Sequence, residues 1–175
     1  MAGGCVTMTK QSEEPIIIRP LVPADDVVMA SIVRTSLSAV GLAIPGTAYF
    51  DPELSHLSAY YAAAPRRAYF VAVQNGQVVG GAGIAQYSDT PQVAELQKLY
   101  VASAARGQGI SKKLMATALT FARAASYECV YLETHHTLTV AMHLYRELGF
   151  TPLLQPLGGG EHSAMDSFWL KMLPA

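Results

Sequence analysis

Between Leu96 and Ala125 the spacing of apolar residues changes from that of a strand to that of a helix. Leu96, Leu99, Tyr100 and Val101 supply strand-type residues. From Ile110 onward Ile110, Leu114, Ala118, Phe121 or Ala122, and Ala125 share one helical face, with Lys112, Lys113, Thr120 and Arg123 outside it. The same reading extends along the chain. Ile16–Arg19 is a short strand stopped by Pro20, and Pro23-Ala24-Asp25-Asp26 opens a helix striped by Met29, Ile32, Val33 and Leu37. Val40–Phe50 is a loop. Asp51-Pro52 starts a second helix, Asp as cap and Pro as first residue, carried by Leu54, Leu57, Tyr61 and Ala64 to Pro65.

Ala68–Val73 is the next strand, and Asn75-Gly76 is a two-residue hairpin signal into Gln77-Val78-Val79. The strand that follows carries Gly80, Gly81 and Gly83, which predicts a bulge or close backbone packing. After the central strand and helix come a strand at Val130–Thr134 and a helix striped by Leu138, Ala141, Met142, Tyr145 and Leu148. Gly149 ends that helix, and strands at Phe150–Leu154 and Ser167–Met172 close the chain around a Gly158-Gly159-Gly160 loop. The order β-α-α-β-β-β-α-β-α-β-β predicts an α/β fold of the α+β type, a mixed sheet with helices on its faces.

Arg106-Gly107-Gln108-Gly109 forces a tight turn between the central strand and its helix. Successive backbone N–H groups there point into one concavity at a helix N-terminus, where unpaired donors and the positive end of the macrodipole attract phosphate. Glycine lets the backbone come close to the anion.

Composition narrows the classes. At 175 residues, 51% hydrophobic and 14% charged, the chain reads as one globular domain, residues 15–175, behind a small, polar leader at 1–14. A net charge of −1 gives no field toward nucleic acid or membrane. No apolar run is long enough to span a bilayer, and no signal-peptide pattern opens the chain. Two cysteines, Cys5 and Cys129, make no disulfide framework, so the expected location is cytoplasmic.

Strand, Arg-Gly-x-Gly turn and helix together resemble the acetyl-CoA-binding segment of the GNAT acetyltransferase superfamily. The family pattern Gln/Arg-x-x-Gly-x-Gly/Ala reads here Ala104-Ala105-Arg106-Gly107-Gln108-Gly109, with Ala104 in the first position. Leu144-Tyr145-Arg146-Glu147-Leu148-Gly149-Phe150 is similar to the family's Tyr-x-x-x-Gly-Phe ending, and Ala141 lies four residues before the tyrosine; Leu138 stands where the family often has Asn. The resemblance runs from about Ile16 to Met172. It implies a central sheet splayed at its middle strands, and an acyltransferase (EC 2.3.1 type) that moves an acetyl group from acetyl-CoA to a primary amine of a small molecule or amino acid by direct attack in a ternary complex. No metal is implied, and a homodimer is compatible with it.

The resemblance also assigns residues. Backbone groups of Leu99, Tyr100 and Val101 would bond the pantetheine arm, and the N–H groups of Arg106, Gly107, Gln108, Gly109, Ile110 and Ser111 the pyrophosphate. Glu95, six residues before Val101, would be the general base through one water, and Tyr145 the general acid toward the thiolate; a backbone N–H near Leu99 would hold the thioester oxygen. Strand alternation puts Glu95 on one face with Gln97 and Leu99. Gln97, Glu133 and His135 would meet the acceptor, and Glu133 is also a second candidate base.

Plainer roles exist for each. A strand Glu is more often a surface or paired residue, and a tyrosine among Leu138, Ala141 and Leu148 is usually core. His135 and His136, adjacent in a strand, would point to opposite faces and so make no metal pair. His143 and His162 read as surface residues. Two other classes remain open. Gly107-x-Gly109 with Glu133 at the end of the next strand fits part of a dinucleotide site of the NAD type, although Lys112 holds the third glycine position. A non-catalytic CoA-binding regulatory module would keep the glycine turn and could dispense with Glu95 and Tyr145.

Overall fold

A computed structural model describes residues 15–158 and 163–174 of the chain. The proposed leader, Cys5 and His162 lie outside the described residues. The strands are β1 (Ile17–Pro20), β2 (Ala68–Gln74), β3 (Gln77–Tyr87), β4 (Thr90–Val101), β5 (Cys129–Thr134), β6 (Thr151–Leu153) and β7 (Ser167–Met172). They form one sheet in the order β1-β2-β3-β4-β5-β7-β6. Asn75 and Gly76, at φ 51° and 73°, make the left-handed two-residue turn that joins β2 to β3. Among the described strands β4–β5 is the single parallel pair, so the sheet is mixed and not the mostly parallel sheet of a doubly wound dinucleotide fold.

Helices α1 (Asp26–Ser38) and α2 (Leu57–Ala62) cover one face, and α3 (Ile110–Ala124) and α4 (Thr139–Glu147) the other. Met29, Val33, Leu37, Leu54, Leu57 and Tyr61 bury their side chains against Val71 and Ala85. On the opposite face Ile110, Leu114, Ala118 and Ala122 pack on Ala94, Leu96 and Val130, while Tyr145, Phe150 and Trp169 close the α4 end. Each fully buried leucine-sized side chain stabilises the fold by about 1.5–3 kcal/mol. No described helix is long and apolar enough to cross a membrane.

The second helix departs from its predicted span. Residues Pro52–Ser55 form a 3₁₀ turn, His56 breaks the run, and the α-helix begins only at Leu57. Local capping loses here to tertiary ion pairing. Asp51 makes no cap hydrogen bond; its carboxylate sits 2.6 Å from Lys98 on β4, and Glu53 lies 2.9 Å from the same ammonium. Ser58 donates from backbone and hydroxyl to Asp26 at 2.9 and 2.6 Å, fixing the start of α2 to the start of α1. The acids of the α1 entry thus hold other segments: Asp25 receives a two-pronged contact from Arg19 at 2.6 and 2.9 Å.

Candidate active site

Parallel pairing between β4 and β5 covers three residues, Val93↔Cys129, Ala94↔Val130 and Glu95↔Tyr131, and stops there. Beyond this vertex β4 runs on to Val101 and β5 to Thr134 without pairing to each other, so the two strands open as a V. The other edge of β4 carries a bulge. Gly83 faces Gln97 but Gly81 faces Tyr100, leaving one extra residue on β4, and Lys98 takes φ 51° within it.

The bulge corrects one expectation. Glu95 and Gln97 do share a face, with Gln97 donating to Glu95 Oε2 at 2.7 Å and accepting from the Tyr61 hydroxyl at 2.8 Å. Leu99 does not join them. The extra residue reverses the alternation, and Leu99 packs with Leu96 on the α3/α4 side.

The open V contains two adjoining clefts. The larger, of about 430 Å³, runs from Leu99, Tyr100 and Val101 past Arg106, Gly107, Gly109, Ile110 and Ser111 to Ala141 and Leu144 of α4. The smaller, of about 80 Å³, is more enclosed and includes Lys98, Glu133, Thr134 and Tyr145. Leu99, Tyr100, Leu138 and Ala141 line both. At the turn, Gly107 and Gly109 have φ 79° and 73°, and a Cβ on either would meet no protein atom within 4 Å. Those two left-handed residues therefore leave an open cradle at the N-terminus of α3, one that fits an anion. Arg106 holds the turn in place, donating from Nε to the Val101 carbonyl at 3.0 Å and from Nη2 to Ser36 at 3.4 Å. Gln108 does not line the cleft with the rest of the turn; its side-chain oxygen accepts from Gln74 at 2.7 Å. Lys112 pairs with Glu147 at 2.8 Å, joining α3 to α4 across the larger cleft, and this pairing holds the Glu147 carboxyl below its ordinary pKa.

Of the residues named for chemistry, Leu99, Tyr100, Glu133 and Tyr145 come together in the smaller cleft. Glu95 stands at the vertex and lines neither cleft. Glu133, two residues along β5 from Glu95's partner, accepts from the Tyr131 hydroxyl at 2.9 Å. Tyr145 is buried among Phe150 and Trp169, and that burial pushes its phenol well above the ordinary tyrosine pKa. It therefore serves as both core residue and cleft residue.

His135 lines neither cleft, and it lies beyond the end of β5 with His136. The alternation argument therefore does not apply to the pair. Their ring centroids are 4.3 Å apart, and together with Asp166 they bring one ligand-type atom each within 4.8 Å of one another. Both Asp166 oxygens are engaged by His136, from its backbone N–H at 2.8 Å and at Nδ1 at 2.6 Å, so the group clasps the turn.

Two residues at the bulge were not singled out from sequence. Lys98 buries its ammonium between Asp51 and Glu53, and Tyr69 donates to the Lys98 carbonyl at 2.8 Å. The signal for Tyr69 was the run of glycines on β3: it fills the space at Gly81 and shares that at Gly83 with Tyr61.

A splayed mixed sheet with a glycine cradle at the mouth of the splay is the architecture of an acyltransferase of the GNAT type, and comparison with known proteins agrees. The family model described as "Acetyltransferase (GNAT) family" matches residues 42–150. The chain is 37% identical over 148 residues to the uncharacterized N-acetyltransferase YjgM of Escherichia coli K12, covering 83% of this chain and 88% of that one. It is 31% identical over 120 residues to human N-acetylaspartate synthetase, covering 69% of this chain but only 38% of the synthetase. Among solved structures, a GNAT acetyltransferase from Staphylococcus aureus Mu50 superposes with a TM-score of 0.80 at 18% identity, over 91% of this chain and 100% of that one. YncA of Salmonella typhimurium, solved with acetyl-CoA, gives 0.74 at 21% identity, over 93% and 96%. This chain belongs to the GNAT acetyltransferase family and is an acyltransferase.

Proposed function

We propose that the chain transfers an acetyl group from acetyl-CoA to a primary amine of a small molecule or amino acid, with both substrates bound together in the open V. The observation that carries this reading is continuity. Leu99 and Tyr100 line the larger cleft, which reaches Gly107 and Gly109, and also the smaller one, which reaches Tyr145 and Glu133. Backbone groups of Leu99, Tyr100 and Val101 hold the pantetheine arm. The N–H groups from Arg106 to Ser111 hold the pyrophosphate, Gln108 contributing main chain only.

In the chemical step the C–N bond forms as the C–S bond breaks. Glu95 takes the amine proton through one water, its carboxylate oriented by Gln97. The Leu99 N–H holds the thioester oxygen as charge develops on it. Tyr145 donates its proton to the departing thiolate; its phenol is protonated at neutral pH already at the ordinary tyrosine value of 10.0, and burial moves the pKa further up. Glu133 binds the incoming amine on the β5 arm, Gln97 acts on the acceptor only through Glu95, and His135 meets it from the turn after β5, outside the two clefts. The names of the relatives favour an amine acceptor, and N-acetylaspartate synthetase favours an amino acid among amines. A panel of primary amines and amino acids assayed for CoA release tests this: amine-dependent release by at least one class supports it. Tight CoA binding without release for any amine would leave a CoA-binding module with no amine chemistry.

A further inference from the structure

Tyr69 starts on β2, yet its hydroxyl reaches the carbonyl of Lys98 two strands away, at 2.8 Å. It crosses β3 where Gly81 and Gly83 leave a trench. A Cβ at Gly81 would collide with Tyr69 Cε1 and lie 2.9 Å from its hydroxyl, and one at Gly83 would lie 2.7 Å from Tyr69 Cδ2. The tyrosine is 2% exposed. The peptide bond it touches follows the one residue of β4 with positive φ. The same residue's ammonium is fixed by Asp51 at 2.6 Å and Glu53 at 2.9 Å, so the bulge is held at side chain and at carbonyl.

A trans peptide is planar, so its N–H points opposite to its C=O. The structure contains no cis bond among the described residues. With the Lys98 carbonyl directed at Tyr69 on the α1/α2 side, the Leu99 N–H is directed to the other side, where Leu99 lines both clefts. We propose that Tyr69 is a positioning residue: through the Lys98 carbonyl it aims the Leu99 N–H at the acyl carbonyl oxygen of the substrate. The inference rests on the reading of that N–H as the thioester's hydrogen-bond donor. It gives a reason for glycine at position 81, where a strand otherwise gains from a side chain, while the space at Gly83 is shared by Tyr61 and Tyr69.

The test uses acetyl-CoA alone, labelled with ¹³C at the thioester carbonyl, and reads its stretching frequency on the protein by infrared difference spectroscopy. Binding to the unmodified protein lowers the frequency, because an aimed N–H polarises the carbonyl. Tyr69→Phe returns the band toward its value in solution while calorimetric affinity for acetyl-CoA is kept. Replacing Tyr69 by 4-aminophenylalanine, which retains a donor, restores the lowered frequency and also serves if Tyr69→Phe does not fold. An equally lowered band in Tyr69→Phe, or an unlowered band in the 4-aminophenylalanine protein, overturns the role of Tyr69. Binding to the unmodified protein with no lowering at all instead overturns the donor reading of Leu99.

Discussion

Glu95 on β4 and Tyr131 on β5 form the last pair before the two strands part, so the proposed base stands at the vertex of the cleft and Glu133 on one of its arms. The proposed mechanism gives the two carboxylates separate roles. Glu95→Gln lowers turnover strongly at neutral pH and leaves acetyl-CoA affinity intact. The loss shrinks at high pH, where the amine deprotonates unaided. Glu133→Gln raises KM for the amine more than it lowers kcat. A pH-independent loss in Glu95→Gln would make it a substrate ligand and move the base to Glu133.

Tyr145 is tested by removing only its hydroxyl. Tyr145→Phe keeps the ring against Phe150 and Trp169, so the melting temperature changes little. Turnover falls by roughly 10²–10⁴-fold if the hydroxyl is the proton donor. Because burial raises its pKa, the unmodified enzyme shows no alkaline loss of activity from this group through the ordinary tyrosine value of 10.0. Full activity in Tyr145→Phe would leave it a structural residue.

Lys98 lies under a different constraint. Burial alone would lower its pKa, but Asp51 and Glu53 outweigh burial and the net shift is upward. Removing the ammonium leaves two carboxylates facing each other in a half-closed site, and Lys98→Met costs about 3–5 kcal/mol, the range for breaking a buried pair. The raised pKa sets the sign of its pH dependence. Its contribution is fully present below the ordinary lysine value of 10.5 and is lost as pH rises through the raised value. Urea unfolding at pH 7 and above 10.5 checks both statements; equal stability of Lys98→Met and the unmodified protein at pH 7 would contradict them.

Asp25 gives the acid side. The Arg19 guanidinium holds its carboxyl below the ordinary value of 3.8, so its contribution is present above that value and is lost as pH falls through the lowered one. Asp25→Asn therefore unfolds more easily than the unmodified protein at pH 6, and the difference narrows as pH falls below 3.8 and through the lowered value.

Most of the element order was legible because strand and helix periods, the Asn75-Gly76 turn and the Gly107-Gly109 cradle are local signals. What stayed hidden depends on contacts distant in sequence. The bulge at Lys98 follows from how β3 pairs with β4, and nothing in the run Glu95–Val101 marks the reversal that moves Leu99 away from Glu95. The break at His56 follows from Asp51 choosing Lys98 over its own helix. The strand end at Thr134 was legible, but strand alternation was carried past it to His135 and His136, and the clasp with Asp166 required knowing that β7 begins beside that turn. The glycines of β3 read as a bulge or close backbone packing. The register does shift between Gly81 and Gly83, and backbone oxygens do come close at Gly80 and Gly81, but the approaching side chains, Tyr61 and Tyr69, could be named only from the fold.

The central claim is that acetyl-CoA binds with its pyrophosphate on the Arg106–Ser111 turn. Gly109 is left-handed and has open space where a side chain would go, so Gly109→Val strains the turn by about 1–2 kcal/mol and fills the cradle without displacing the α3 core. Calorimetric titration of acetyl-CoA into the unmodified protein and into Gly109→Val is the direct measurement. The account predicts saturable binding to the first, affinity at least about tenfold weaker in the second, a difference of about 1.4 kcal/mol, and no binding of NAD to either. Equal affinity of the two proteins for acetyl-CoA, or binding of NAD in its place, would contradict it.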